Sequence, residues 1–274
     1  MTQLIVAVHG ATGTQGTRIA RRLRAAGHHV RPLSSASADL TDTAALLRAY
    51  DGADAVVVHL PQVFDPLAVA QAESVLAALG KAGVPRAVFN PGMPLPPGPV
   101  GAPFVDARVL LGDRLPERVE HSWVIGPAGP YLENLLQPWS VRRVLRHGEL
   151  AYPLPPQAPV PWGTLDDVGD VIAETLAQAP PSARLIVSGP EAVTGDRLAA
   201  AVAAAAGRPV RYAQVGPAEY GRLIEPVVGA AAAAGIAAVY ERDAAAPSPP
   251  PPPGLLRPGA TTVEEWAAQA DWTA

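Results

Sequence analysis

Residues 4–26 constrain the fold more than any other stretch. An apolar run of strand length, Leu4 to His9, enters a turn carrying Gly10, Gly13 and Gly16, and Thr17–Ala26 continues with helical periodicity. A strand, a glycine turn and a helix in that order form the opening unit of a dinucleotide-binding α/β fold. The glycines let the backbone turn tightly and let a pyrophosphate approach, and the helix N-terminus offers N–H groups and a positive dipole end to that phosphate. Placement between a strand and a helix is what gives a glycine triplet its weight. The alternative is an ordinary tight turn with packing glycines.

Composition narrows the field. At 274 residues the chain is long enough for one large core, or for a core domain with a smaller one appended. A net charge of −4 gives no electrostatic case for nucleic acid or an anionic membrane as partner. No apolar run is long enough to span a bilayer and no leader pattern is visible, so a cytoplasmic protein is expected. The absence of cysteine excludes disulfides, thiol nucleophiles and cysteine-held metal. The His, Asp and Glu residues show no metal-ligand spacing either, so no metal is expected.

The rest of the chain alternates strands with helices. Strands are expected at 3–9, 28–33, 54–60, 86–90 and 119–125, with helices at 14–26, 41–50, 66–82 and 104–115. This rhythm predicts an α/β, doubly wound parallel Rossmann sheet. Past residue 126 the rhythm loosens. Expected there are a strand at 149–152, a helix at 165–178, a strand at 184–188, a helix at 194–206, a strand at 209–214 and an alanine-rich helix at 227–242. The Pro247–Pro253 run reads as a stiff polyproline spacer. Thr261 or Thr262 is expected to cap a terminal helix. The domains expected are 1–150 for the dinucleotide and 151–274 for a smaller C-terminal α+β substrate domain, either separate from the sheet or sharing part of it.

Several segments, taken together, resemble the NmrA-like family of atypical short-chain dehydrogenases/reductases. They are Gly10–Gly16, Ala38–Asp42, Gly52–Val56, Ala82–Arg86, Tyr131–Leu135, Asp166–Asp170, Val187–Glu191 and Thr261–Glu265. Their order and spacing cover nearly the whole chain. The resemblance implies an NAD(P)-binding Rossmann domain and a smaller domain closing over a cleft. Gly10, Thr12, Gly13, Gln15 and Gly16 would hold the pyrophosphate. Asp39 and Leu40 would border the adenine, and His59, Leu60, Pro61 and Asn90 would face the nicotinamide half.

The usual short-chain dehydrogenase pairs a tyrosine acid with a lysine four residues later, which lowers the tyrosine pKa and holds the ribose. Here the only lysine is Lys81, and no tyrosine has lysine at that spacing. Lys81 reads as a solvated surface residue. NmrA-like oxidoreductases often carry a lysine on the helix after strand four, and Phe104–Val109 aligns Arg108 with it. Arginine can hold a ribose or a carbonyl but does not donate a proton readily. The alternative is a surface ion pair with Asp106 or Asp113. Where serine is common at the end of strand four, this chain has Asn90, which either orients a carbonyl or ends the strand. Tyr131, Trp139 and Trp162 would line an aromatic wall or pack in the small domain. Glu133 is the nearest candidate acid. His28 and His29 read as a solvated turn. Arg108, Asn90 and Tyr131 are thus the candidate catalytic residues.

An NAD-specific domain places an acid at the end of strand two. That region here holds Arg31, Ser34 and Ser35 and no acid, which favours NADP(H) over NAD(H). The alternative for Arg31 is a side chain turned to solvent. The function expected is an NAD(P)H-dependent oxidoreductase acting on a small apolar or aromatic carbonyl, quinone or enone. The alternatives are a non-catalytic NAD(P)-sensing regulator, or a fold reused for a cyclisation, elimination or isomerisation. The partner expected is a small-molecule substrate, not nucleic acid or membrane, for a monomer or homodimer.

Overall fold

The computed structural model describes residues 2–245 and 252–273. The chain divides into two units that are interleaved in sequence. The first comprises residues 1–127, 165–187 and 252–257, and the second 128–164, 188–251 and 258–274. The boundary expected near residue 150 therefore falls inside the second unit, because residues 165–187 return to the first.

The first unit is built on strands β1 (Ile5–His9), β2 (His29–Leu33), β3 (Ala55–His59), β4 (Arg86–Asn90) and β5 (His121–Pro127). Between them lie α1 (Thr14–Ala25), α2 (Thr43–Tyr50), α3 (Leu67–Ala82) and α4 (Pro103–Arg114). Further along the chain come α5 (Pro138–His147), β6 (Glu149–Tyr152), α6 (Leu165–Gln178) and β7 (Ala183–Ser188). The remaining elements are α7 (Gly195–Ala206), β8 (Arg211–Gln214), α8 (Pro217–Val228), α9 (Ala230–Ala245), β9 (Leu256–Pro258) and α10 (Val263–Gln269). The large sheet has the order β2-β1-β3-β4-β5-β7-β9. The neighbours from β2 to β7 all pair in parallel. Val6 to Val8, Ala55 to Val58 and Ala87 to Phe89 are fully buried. Central strands covered by helices on both faces require such continuous apolar runs. Pro32 is tolerated in β2 because that strand is an edge. The chain leaves β1 for β2, then crosses back to β3 on the other side of β1. The order reverses there, and in open α/β sheets ligands bind outside the carboxyl ends of the strands at that reversal.

The second unit holds the short parallel pair β6–β8 and α5, α7, α8, α9 and α10. Its core gathers Leu135, Val141, Tyr152, Trp162, Leu198, Tyr220 and Trp266. The Tyr152 and Tyr240 hydroxyls lie 2.6 Å apart, and Asn134 donates to Tyr152 at 3.2 Å. Thr262 caps α10 in a reciprocal capping box with Glu265, in line with its sequence. Of the polyproline run, residues 247–251 lie outside the described residues. The helix expected at 227–242 is α9, which starts only beyond Gly229, and a further helix, α8, ends just before that glycine.

Candidate dinucleotide site and its neighbours

The glycine turn forms because two of its positions exclude other residues. Gly10 sits at φ +62°, where side chains are strained. A Cβ on Gly16 would come within 2.2 Å of the Gly10 carbonyl oxygen, so helix and turn touch at that point. The Gly13 N–H donates to the Gly10 oxygen at 2.8 Å, and the Thr17 hydroxyl donates to the Ala11 oxygen at 2.9 Å. Gly13 is the N-cap of α1, with no side-chain cap and no acid in the first turn. Thr12, Gly13 and Thr14 are exposed. An exposed helix start with neither a cap nor an acid fits a pyrophosphate.

Three strand ends stand beside it. His9 closes β1, His59 closes β3 and Asn90 closes β4, with His59 and Asn90 paired in register. All three are buried. The His9 Nε2 and Tyr50 hydroxyl share a hydrogen bond of 2.7 Å. Neither ring nitrogen of His59 has a hydrogen-bond partner among the described residues. Burial pushes the pKa of His59 down to about 3, with neighbouring His9 acting in the same direction, and that of His9 down to about 4. Both rings are therefore neutral at ordinary pH. The Asn90 Oδ1 accepts from the Gly92 N–H at 2.8 Å, so the side chain ends its strand in a local turn.

Arg108 stands on α4 and is 3% exposed. Its Nε donates to the Pro91 oxygen, Nη1 to Phe104, and Nη2 to Leu60 and Pro61, at 2.9 to 3.1 Å. The surface ion pair weighed from the sequence is not formed. Asp113 pairs with Arg184, and Asp106 accepts from the Val100 N–H. Burial lowers the Arg108 pKa to about 9, which still leaves the guanidinium charged at neutral pH. The contacts describe a clamp on main chain: Arg108 ties the loop after β3 to the loop after β4.

On the β2 side, Arg31 departs from expectation. Its Nη1 donates to the Ala49 and Asp51 oxygens at the C-terminus of α2, at 3.0 and 2.6 Å. The side chain lies mid-strand, and unpaired carbonyls at a helix end attract a cation. It is thus half-buried and turned to α2 rather than toward the hydroxyls beyond the strand. Ser34 and the exposed Ser35 follow the strand, and the Ser34 carbonyl accepts from Ser37 and Ala38 in a tight turn. Asp39 is exposed and accepts from Thr41, while Leu40 packs against the core. His28 is also corrected: it is buried, and its Nδ1 accepts from the Leu4 N–H at 3.3 Å. Lys81 is exposed, as expected.

Within the second unit, Tyr131 and Glu133 are both 3% exposed and bracket the start of a short 3-10 helix. Trp162 belongs to the core, and Trp139 meets the edge of Tyr220 at 5.4 Å. No sequence pattern points to the Phe64–Phe104 contact, with ring centroids 4.5 Å apart. Two isolated aromatics 40 positions apart carry no pattern.

No protein-family profile matches the chain. It is 29% identical over 238 residues to the NAD(P)H azoreductase of Xenophilus azovorans, covering 77% of each chain. Its fold matches the triphenylmethane reductase of Citrobacter sp., solved with NADP(H), at a TM-score of 0.70 and 18% identity, over 96% of this chain and 99% of that one. It also matches NmrA, a negative transcriptional regulator solved with NADP, at a TM-score of 0.67 and 20% identity over the full length of both. The chain has the NmrA-like fold. In that fold the uncapped start of α1 and the ends of β1 and β3 stand where open α/β sheets take their ligands.

Proposed function

We propose that this NmrA-like chain is an NAD(P)H-dependent oxidoreductase that reduces a flat aromatic acceptor such as an azo compound or a quinone. The observation that carries the reading is the alignment with an NAD(P)H azoreductase along 238 residues. The uncapped glycine turn supports the cofactor half of it.

The bound reduced nicotinamide supplies the hydride. The protein's own residues then have a limited task. With no tyrosine–lysine pair, no side chain of that type protonates the product. Quinones and azo compounds tolerate this, because the charge left by hydride addition delocalises and water delivers the proton. Gly10 to Gly16 hold the pyrophosphate. Asn90 and Arg108 shape the two loops at the carboxyl ends of β3 and β4. NADP(H) is preferred over NAD(H), because no acid stands at the end of β2 to repel a 2′-phosphate and the Ser34 and Ser35 hydroxyls are there to donate to it. Arg31, held by α2, contributes no direct contact.

Steady-state NADPH oxidation against a panel of azo dyes, quinones and enones tests the reading, together with dissociation constants for NADPH and NADH. Saturable turnover and tighter NADPH are expected. The second reading, a regulator that binds NAD(P) without turnover, is favoured by the missing tyrosine–lysine pair and by the shared fold with NmrA. Tight binding with no turnover would select it.

A further inference from the structure

Resting on the oxidoreductase reading, we propose that Arg108, Phe104 and Phe64 form a stacked platform whose outer ring, Phe64, binds the aromatic ring of the acceptor. The Arg108 Cζ lies 3.7 Å from the Phe104 ring centroid. The Phe64 ring lies 4.5 Å from the same centroid and is tilted by only 13°. Two groups that close cannot share one face of a ring without overlapping. Arg108 therefore covers one face of Phe104 and Phe64 the other. The order is guanidinium, ring, ring, and among the described residues no further ring stacks on Phe64.

The stack is anchored at its base. The guanidinium beneath Phe104 is held by the carbonyls of Leu60, Pro61, Pro91 and Phe104. Phe64 belongs to the loop between β3 and α3, and Phe104 to the first turn of α4. Both segments follow the carboxyl ends of their strands, β3 and β4, the side on which α/β sheets bind ligands. Both rings are half-buried, and neither belongs to the apolar core around the sheet. The large hydrophobic side chains most exposed among the described residues are Leu67, Val100 and Val227. Leu67 and Val100 flank Phe64 and Phe104 in these same two stretches of chain. One ring held parallel to another, in segments that follow the carboxyl ends of the strands, suits a flat aromatic partner in offset stacking.

The test uses 4-aminoazobenzene as the probe. Its binding to the full chain is read by absorbance shift with saturating NADP⁺, so that no turnover intervenes. The variants are Phe64→Leu, which keeps bulk without a ring, and Phe64→Tyr, which keeps the ring. Phe64→Leu is expected to raise the dye dissociation constant about fivefold, the scale of one lost ring-on-ring contact. Phe64→Tyr should bind as the wild type does, and NADPH affinity should be the same in all three. Dye binding that is absent in the wild type, equal in Phe64→Leu, or altered in parallel with NADPH affinity overturns the platform. Turnover of 1,4-naphthoquinone separates the two readings. Phe64-dependent dye binding without any turnover keeps the platform and removes the oxidoreductase. Turnover with a KM untouched by Phe64→Leu does the reverse.

Discussion

Gly13 and Gly16 are three positions apart in one turn and answer to different constraints. Gly13 has φ −97°, open to any residue, and its Cβ would meet only the Gly10 oxygen at 3.4 Å. Gly16 has no room at all. Gly13→Val is therefore expected to fold with wild-type circular dichroism and to lose NADPH binding in calorimetry. Gly16→Val should be strongly destabilised, since it drives a side chain into backbone. Equal NADPH affinity in Gly13→Val and wild type would remove the pyrophosphate from this turn. Arg108 makes a second contrast. A charge held only for catalysis can be replaced with little loss of stability, but a clamp cannot. Arg108→Met strips four carbonyls of a donor and should lower stability by about 2 kcal/mol or more. It should also lower kcat by about a hundredfold through misplaced loops. Arg108→Lys should recover part of both, having the charge but not the fork. A fall in kcat with an unchanged melting temperature would make Arg108 a purely electrostatic group. His9 and His59 carry the pH dependence. Their native pKa values, about 4 and about 3, lie below the unfolded value of 6.5, so the unfolded chain binds protons first. Their effect on stability is absent above pH 6.5 and destabilises increasingly as pH falls below it. Melting temperatures between pH 8 and 5 should fall less steeply in His59→Leu than in wild type. Parallel curves would contradict buried neutral imidazoles.

At the scale of elements, legibility followed the physics of each segment. Strands buried on both faces wrote themselves as apolar runs, and β4 and α6 occupy the residues expected of them. Helices α5 and α8 escaped notice because each opens on a proline, Pro138 and Pro217, and α8 carries Pro226 as well. Proline is compatible with a first helical turn, so its presence there signalled loop where helix stands. Asp166 and Asp170, in a segment that carries the family resemblance, stand in the first turns of α6. Asp166 pairs with Arg18 and Arg21, and Asp170 with Arg22, so these acids fasten α6 to α1. The pairs are half-exposed and each is worth less than about 1 kcal/mol. The double variant Asp166→Asn, Asp170→Asn should lower the melting temperature slightly at low salt, with the difference shrinking at 1 M salt. A large, salt-independent loss would mean that these carboxylates act through something other than ion pairing.

For the molecule as a whole, the fold was legible because the glycine turn and the strand–helix rhythm are local signals. Division of the chain was less so. The return of α6 and β7 to the large sheet is a long-range choice that no local pattern records. Site legibility split the same way. The glycines follow from backbone sterics, whereas the partners of Arg31 and Arg108 depend on which carbonyls the fold brings near. The central claim is hydride transfer from NADPH to an aromatic acceptor. The most direct measurement mixes the purified protein, NADPH and an azo dye, and follows loss of dye and of NADPH in the same cuvette. The account predicts saturable loss of both in fixed proportion, abolished in Gly13→Val. NADPH bound tightly by the wild type, with neither dye nor any quinone in the panel consumed, would contradict it.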